Sequence, residues 1–510
     1  MLHRKNGARF QHRLGLLLMF QTSNKFYFSS AVAVFLLFYS VLLLLPGFTL
    51  LREPDTFWQI RIGQWILHNA KVPVTDFYSY TAAGKPWISG QWLSEILFGL
   101  AFKIAQWRGV VLLSAVSCSA VLALASFYLV RNLRFSVAIG WVALTALAIT
   151  PHFVARPHIF SYILLLIWVI ILLDNYDSGD FKPSTPILSL LMILWANLHG
   201  SFTVGLLLLY VFAGASCYEK FVQRDYKACG RALFIVLTTS VSALLTPYGV
   251  SSVLLVLQVM NMKFVQSNII EWQPPNFQAS PFYLLYLVAI FAGIAGLGVR
   301  LRGPRLIAFS MITVFGLSHI RGLMMFFLLA PIILARPILA CAPWLRAGVD
   351  GQSLEAARAS DPVLFYLQSR PVTMPAILLT LATVITAYSW HKINIGPPES
   401  ISPNAAIDFV RRTGITGNVF NSYSFGGYLI FVGIPTFIDG RTPPYSDDFV
   451  RRYSNAVNLR DINDAFRLLE EYKVRWVLLL PEEPLGKALA GSARWDEVYS
   501  DSYSIVFVRR

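Results

Sequence analysis

Charged residues are scarce in this chain of 510 residues: Asp, Glu, Lys and Arg together make up 14%, where a soluble domain carries roughly 25%. Most of the chain therefore cannot face water. Cysteine is scarce as well. Cys118, Cys217, Cys229 and Cys341 lie in or beside apolar runs and none follows Gly396, so no disulfide framework and no cysteine-based metal site follows from them. The histidines lack a close metal-ligand spacing of the HExxH kind. The Gly426–Gly427 pair lacks the GxGxxG spacing and the acid after it, which argues against a dinucleotide fold. More simply, such a pair permits a tight strand-to-helix turn. Acidic residues are outnumbered, giving a net charge of +15. Nucleic acid is nevertheless excluded as a partner, because the cations lie in short loops between apolar spans, where positive charge retained on the cytoplasmic side explains them.

Hydrophobic residues, by contrast, make up 56% of the chain, with a mean hydropathy of +0.57. Apolar runs able to cross a hydrocarbon core of roughly 30 Å recur at Phe28–Leu45, Val110–Val130, Ile159–Leu173, Phe202–Ala215, Phe282–Leu297 and Leu323–Ala335. A single secretory signal would leave one such run, at the N-terminus. The pattern is that of an α-helical polytopic membrane protein surrounded by membrane lipid.

Arg4, Lys5, Arg9, Arg13 and Lys25 precede the first span, which places residues 1–26 in the cytoplasm. The span then delivers Leu50–Gln91 to the outside. Trp92–Trp107 is apolar on one side but carries Ser94, Glu95, Lys103 and Gln106, and reads as an amphipathic helix in the outer interface; with it the first outer loop covers 51–108. Arg131 and Arg134, then Lys220, Arg224, Lys227 and Arg231, then Arg300, Arg302 and Arg305, and finally Arg346, Arg358 and Arg370 fall inside. Outside lie the links at Arg156–His158, Asn197–Ser201, Thr246–Pro281 and His319–Arg321. Ile187–Ala196 is short for a span and reads as a short or broken helix of the kind that survives beside a protein-walled cavity. Met374–Trp390 exits outward, for about eleven spans within 27–392.

After Gly396 the pattern becomes a soluble α/β domain, 396–510. Helices are expected at Pro403–Thr413, Ile462–Tyr472 and Glu483–Ala490, and strands at Asn418–Tyr423, Thr436–Asp439, Arg475–Leu480 and Tyr503–Val508.

Glu53 and Asp55 stand just after the first span, in REPDTFWQIRIGQWI. A carboxylate there is ordinarily solvated or caps a helix, and Asp55 could cap Thr56–Ile66. The same loop holds Trp58, Trp65, Tyr78, Tyr80, Trp87 and Trp92, suited equally to sugar faces and to an interfacial belt. Other outward links bring Arg156 and His158, His199, Glu271, His319 and Arg321 to the same depth, where ionisable groups mark sites. Arginine grips phosphate through two parallel hydrogen bonds. Arg156 and Arg321 are thus candidates for a lipid phosphate, the alternative being anchorage at the headgroups.

The chain resembles the GT-C superfamily of polytopic glycosyltransferases. More narrowly, DTFWQIRIGQWIL, PVTDFYSYTAAGKPWISGQWLSEIL, ARPHIFSY, NLHGSF, TPYG, EWQPP and FNSYSFGGYLI…FIDGRTPPY resemble a widespread bacterial family of such proteins. The resemblance implies transfer of a sugar from a polyprenyl-phosphate carrier, with inversion, to a lipid or glycan acceptor at the outer face of a bacterial inner membrane. It also implies an extracytoplasmic C-terminal domain. Asp55 matches the superfamily's general base and Glu53 is its neighbouring acid. Trp58, His158, His199, Glu271 and His319 would line the substrate. Oligosaccharyltransferases of the superfamily hold a metal and carry a WWD-like peptide motif. This chain has no such motif, so a peptide acceptor is disfavoured; no cofactor is expected, with room left for a divalent metal. The rival readings are a flippase for lipid-linked glycans, which wants inverted repeats and broken midplane helices, a glycan polymerase, and a non-catalytic polysaccharide-assembly subunit that docks through its C-terminal domain.

Overall fold

The computed structural model describes residues 26–44, 50–179, 181, 185–346, 373–392 and 395–510. The N-terminal cations through Lys25, and Arg358 and Arg370, lie outside these. Seven described helices are long and apolar enough to cross a membrane: Phe26–Leu44, Trp92–Asn132, Phe135–His152, His158–Asp177, Phe202–Val222, Ile320–Cys341 and Thr373–Lys392. The expected figure is about eleven; shorter apolar helices, among them Pro186–Leu198, Pro281–Gly296 and Gly303–Ser318, stand beside these seven. Trp92–Asn132 is two helices in one: Ala105 and Gln106 leave helical geometry, Gln106 at φ 52°. The first part is the segment expected to be amphipathic, with one difference. Lys103 and Gln106 are exposed, but Ser94 and Glu95 are fully buried. Ser94 donates to the Leu198 carbonyl at 2.7 Å and Ser89 to the Glu95 carboxylate. Helix Asp55–Asn69 crosses this segment at Gly63 and Gly99, where an added Cβ on either would collide with the other helix's backbone.

The two ends of the bundle differ in charge partners. Helix His158–Asp177 has 20 residues, about 30 Å at 1.5 Å per residue. At its far end Arg336 reaches Asp174 at 2.5 Å and also pairs with Asp177, which Arg305 grips through both oxygens. The Arg134 amide donates to the Leu345 carbonyl at 2.7 Å. Cys217 and Cys229 are joined, with Cα atoms 4.4 Å apart, a pairing that their spacing did not signal.

After residue 395 a four-stranded sheet runs in the order β1 (Asn418–Asn421), β2 (Val474–Leu479), β4 (Ile505–Arg509), β3 (Trp495–Ser500), with β1 parallel to β2 and the other pairs antiparallel. Helices Asn404–Arg412, Ile462–Glu471 and Pro484–Ala490 stand where expected. The expected strand Thr436–Asp439 is not one. Among the described residues its only strand-type pairing is a single bridge from Thr436 to Ser79 of the first loop, so its extended backbone is used to join the two parts of the chain. The glycine pair opens helix Gly426–Val432.

Candidate active site at the first-loop carboxylates

The beginning of helix Asp55–Asn69 is pinned from the side. The Ala155 amide donates to the Leu50 carbonyl at 2.8 Å, and the Thr56 hydroxyl donates to the Ala155 carbonyl at 2.8 Å. These bonds set Arg156 beside Glu53 and Asp55 whatever the side chains do. Asp55 does not cap its helix. The cap position is Pro54, with no side-chain capping bond, and the Asp55 oxygens go elsewhere: Oδ1 accepts from Trp58 Nε1 at 2.9 Å and Oδ2 from Arg156 Nη2 at 2.6 Å. Trp58 is itself 4% exposed, so it orients Asp55 and offers no open ring face to a sugar.

Arg156 also meets Glu53 at 3.6 Å and pairs with Glu271. Arg321 reaches the other Glu271 oxygen through Nε at 2.5 Å and stacks over Trp272, 5.2 Å from the ring centroid. Three carboxylates therefore face two guanidiniums, and the side chains differ in access: Asp55 is 11% exposed, Arg156 17% and Arg321 39%. His158 and His199 lie within the field of this cluster, while their ring nitrogens contact the His152 carbonyl and Ser201. Burial, with the nearby cations, lowers His199 to about 3, so it is neutral. His319 Nδ1 contacts the Trp272 carbonyl at 2.6 Å. All the residues singled out in the sequence thus come to one end of the bundle. The charged ones and Trp58 form one network, with the three histidines at its rim. Among the described residues no three His, Cys, Asp or Glu are grouped so as to hold a metal.

Burial raises the Glu53 carboxyl to about 7; Arg156 pulls it down, and Asp55 and Glu271 push it up. Asp55 is raised by burial against the pull of Arg156. For Glu271 burial also acts upward, but Arg156 and Arg321 outweigh it and hold the group at about 2. A carboxyl raised on folding makes the folded state bind more protons than the unfolded one, so its contribution is favourable below the unfolded value and is lost as pH rises toward the folded one. Stability in detergent should therefore fall between about 4.5 and 7 on account of Glu53. In Glu53→Gln that fall should shrink, as read by the unfolding midpoint at pH 5 and pH 8. Parallel pH curves for the two proteins would contradict the assignment.

The sequence reading missed a second set of groups. Asp439, Gly440 and Arg441 come from the C-terminal unit and close over Asp55. A Cβ on Gly440 would collide with the Asp55 carboxylate, and one on Gly427 with the Pro54 carbonyl. Arg441 binds both Asp439 oxygens at 2.8 Å and Asp76 of the first loop at 2.6 Å, all three side chains at 0% exposure. Its guanidinium lies 4.8 Å from the Trp87 ring centroid. Tyr445 donates to Asp439 at 2.7 Å. The Tyr80 hydroxyl donates to the Val419 carbonyl and Thr81 to that of Phe437. The signal available was Asp-Gly-Arg set inside the apolar FIDGRTPPY. The C-terminal unit is built into the site.

No family model matches the chain, and no curated protein matches it in sequence. Solved structures do. The apo oligosaccharyltransferase of Archaeoglobus fulgidus is similar over 91% of this chain and 71% of its own, with a TM-score of 0.50 and 11% identity. ArnT of Cupriavidus metallidurans bound to undecaprenyl phosphate overlaps 94% of this chain and 97% of its own, with a TM-score of 0.45 and 18% identity. The first likeness shows the fold alone: over most of its length this chain folds as that oligosaccharyltransferase does.

Proposed function

We propose that the chain is an inverting glycosyltransferase that moves a sugar from a polyprenyl-phosphate carrier to a lipid or glycan acceptor. It works at the outer face of a bacterial inner membrane, with the N-terminus cytoplasmic and residues 396–510 extracytoplasmic. The observation that carries the reading is the buried Asp55 carboxylate, oriented by Trp58 and Arg156 where all the links read as outward converge. Asp55 takes the acceptor hydroxyl proton as that oxygen bonds to the anomeric carbon, and the carbon–phosphate oxygen bond breaks. The freed polyprenyl phosphate carries the negative charge away. Of the two arginines, Arg321 is the more accessible, and its planar fork suits that phosphate. Arg156 stands behind it, held by carboxylates. His199, which is neutral, with His158 and His319, is left to contact the sugar or the acceptor.

A deletion strain tests this reading. It should lack one glycolipid or surface polysaccharide while the polyprenyl-linked sugar accumulates. Unchanged amounts of both would remove the assignment.

A further inference from the structure

Glu53, Asp55 and Glu271 converge on Arg156. A hard divalent cation wants several such oxygens around it at about 2.0–2.6 Å, but here, among the described residues, they are spread about a cation and not grouped to hold a metal. In this chain a guanidinium sits among them. Arg156 Nη2 is 2.6 Å from Asp55, Nη1 is 3.6 Å from Glu53, and Nη1 also pairs with Glu271. The backbone bonds from Ala155 to Leu50 and from Thr56 to Ala155 fix the place of Arg156 independently of these charges. The side chain is largely buried and has carboxylates at both ends of its fork, so it has no second position of comparable pairing to retreat to. His158 Nε2 contacts the His152 carbonyl and His199 Nδ1 contacts Ser201, and among the described residues neither joins the carboxylates in a group that could hold a metal. A divalent metal such as oligosaccharyltransferases of the superfamily hold therefore does not fit this site as it is built: its place is taken by a positive charge.

We propose that Arg156 is a tethered counter-cation that occupies the position of a divalent metal among Glu53, Asp55 and Glu271, leaving the site independent of metal. It offsets part of the trio's charge and holds the Asp55 carboxylate toward the acceptor, so Arg156 is a positioning residue. This deepens the transferase reading and rests on it for the role of Asp55, while its test reads metal binding alone and is independent of any sugar.

The experiment uses full-length protein purified in detergent, stripped with chelator and titrated with Mn²⁺, with free metal read by electron paramagnetic resonance. The parent and Arg156→Lys should show no stoichiometric site. Arg156→Ala should bind one Mn²⁺ per chain, on the order of 100-fold tighter than the parent, because removing the cation frees a set of carboxylates. Adding Glu271→Gln should abolish the gained site. If Arg156→Ala does not accumulate, Arg156→Gln, neutral and of similar volume, carries the same expectation. One tightly bound Mn²⁺ per chain in the parent would overturn the proposal, and so would a neutral Arg156 variant that binds no more metal than the parent.

Discussion

Asp55→Asn should lower sugar transfer by about 10²–10⁴-fold, the usual contribution of a general base, at normal abundance in the membrane. The substitution keeps the shape of the side chain. The asparagine carbonyl can still accept from Trp58, and Arg156 keeps Glu53 and Glu271 as partners, so no buried cation is stranded. What is lost is proton acceptance. Glu53→Gln should cost less, because Glu53 is the carboxylate farthest from the Arg156 fork, at 3.6 Å. The two variants measured side by side in membranes supplied with lipid-linked sugar separate their roles. Near-parental rates for Asp55→Asn with a dead Glu53→Gln would move the base to Glu53.

Arg441→Ala should have the largest effect on stability. It leaves Asp439 and Asp76 buried without their cation, each at 0% side-chain exposure. Stranding a buried charge in this way costs roughly 3–5 kcal/mol, against a total stability of about 5–15 kcal/mol for a typical protein. The loss falls on the seam between the first loop and the C-terminal unit, which also carries the Ser79–Thr436 bridge and the Tyr80 and Thr81 hydrogen bonds. The variant should accumulate poorly, unfold at lower temperature in detergent and release its C-terminal part to limited proteolysis. Arg441→Lys should recover little, since an ammonium cannot bind both Asp439 oxygens and Asp76 in the same fork or stack as well on Trp87. A parental melting temperature and protease pattern in Arg441→Ala would show that the seam is held elsewhere.

How much of this was legible in the sequence depends on how local each interaction is. The spans were legible because a helix in lipid must be apolar along its whole length. The expected run Ile159–Leu173 lies inside the observed His158–Asp177, for example. The gathering of Glu53, Asp55, Arg156, Glu271 and Arg321 was anticipated from which links alternate, by charge, with the Lys- and Arg-rich ones. The C-terminal unit was read less well. Among the described residues strand Trp495–Ser500 is a sheet edge paired only with β4, with the neighbours Glu497 and Val498 both exposed, which breaks the alternation. Helix Asp447–Val457 was overlooked although Ser446 caps it, accepting from the Phe449 amide. Thr436–Asp439 is β-branched and aromatic enough to suggest a strand, yet no ladder forms. The Arg441–Asp76 pair spans 365 positions, and no local pattern encodes a partner that distant.

The proposed transferase breaks the bond between a sugar and a polyprenyl phosphate and needs Asp55 for it. Purified full-length protein in liposomes, given a polyprenyl-phosphate sugar together with a lipid extract as acceptor, should release polyprenyl phosphate and form a glycosylated product in equal amounts. Asp55→Asn should do so at no more than about one hundredth of that rate. Release of polyprenyl phosphate at equal rates by parent and Asp55→Asn, or by neither across donors that carry hexoses and pentoses, would contradict the account.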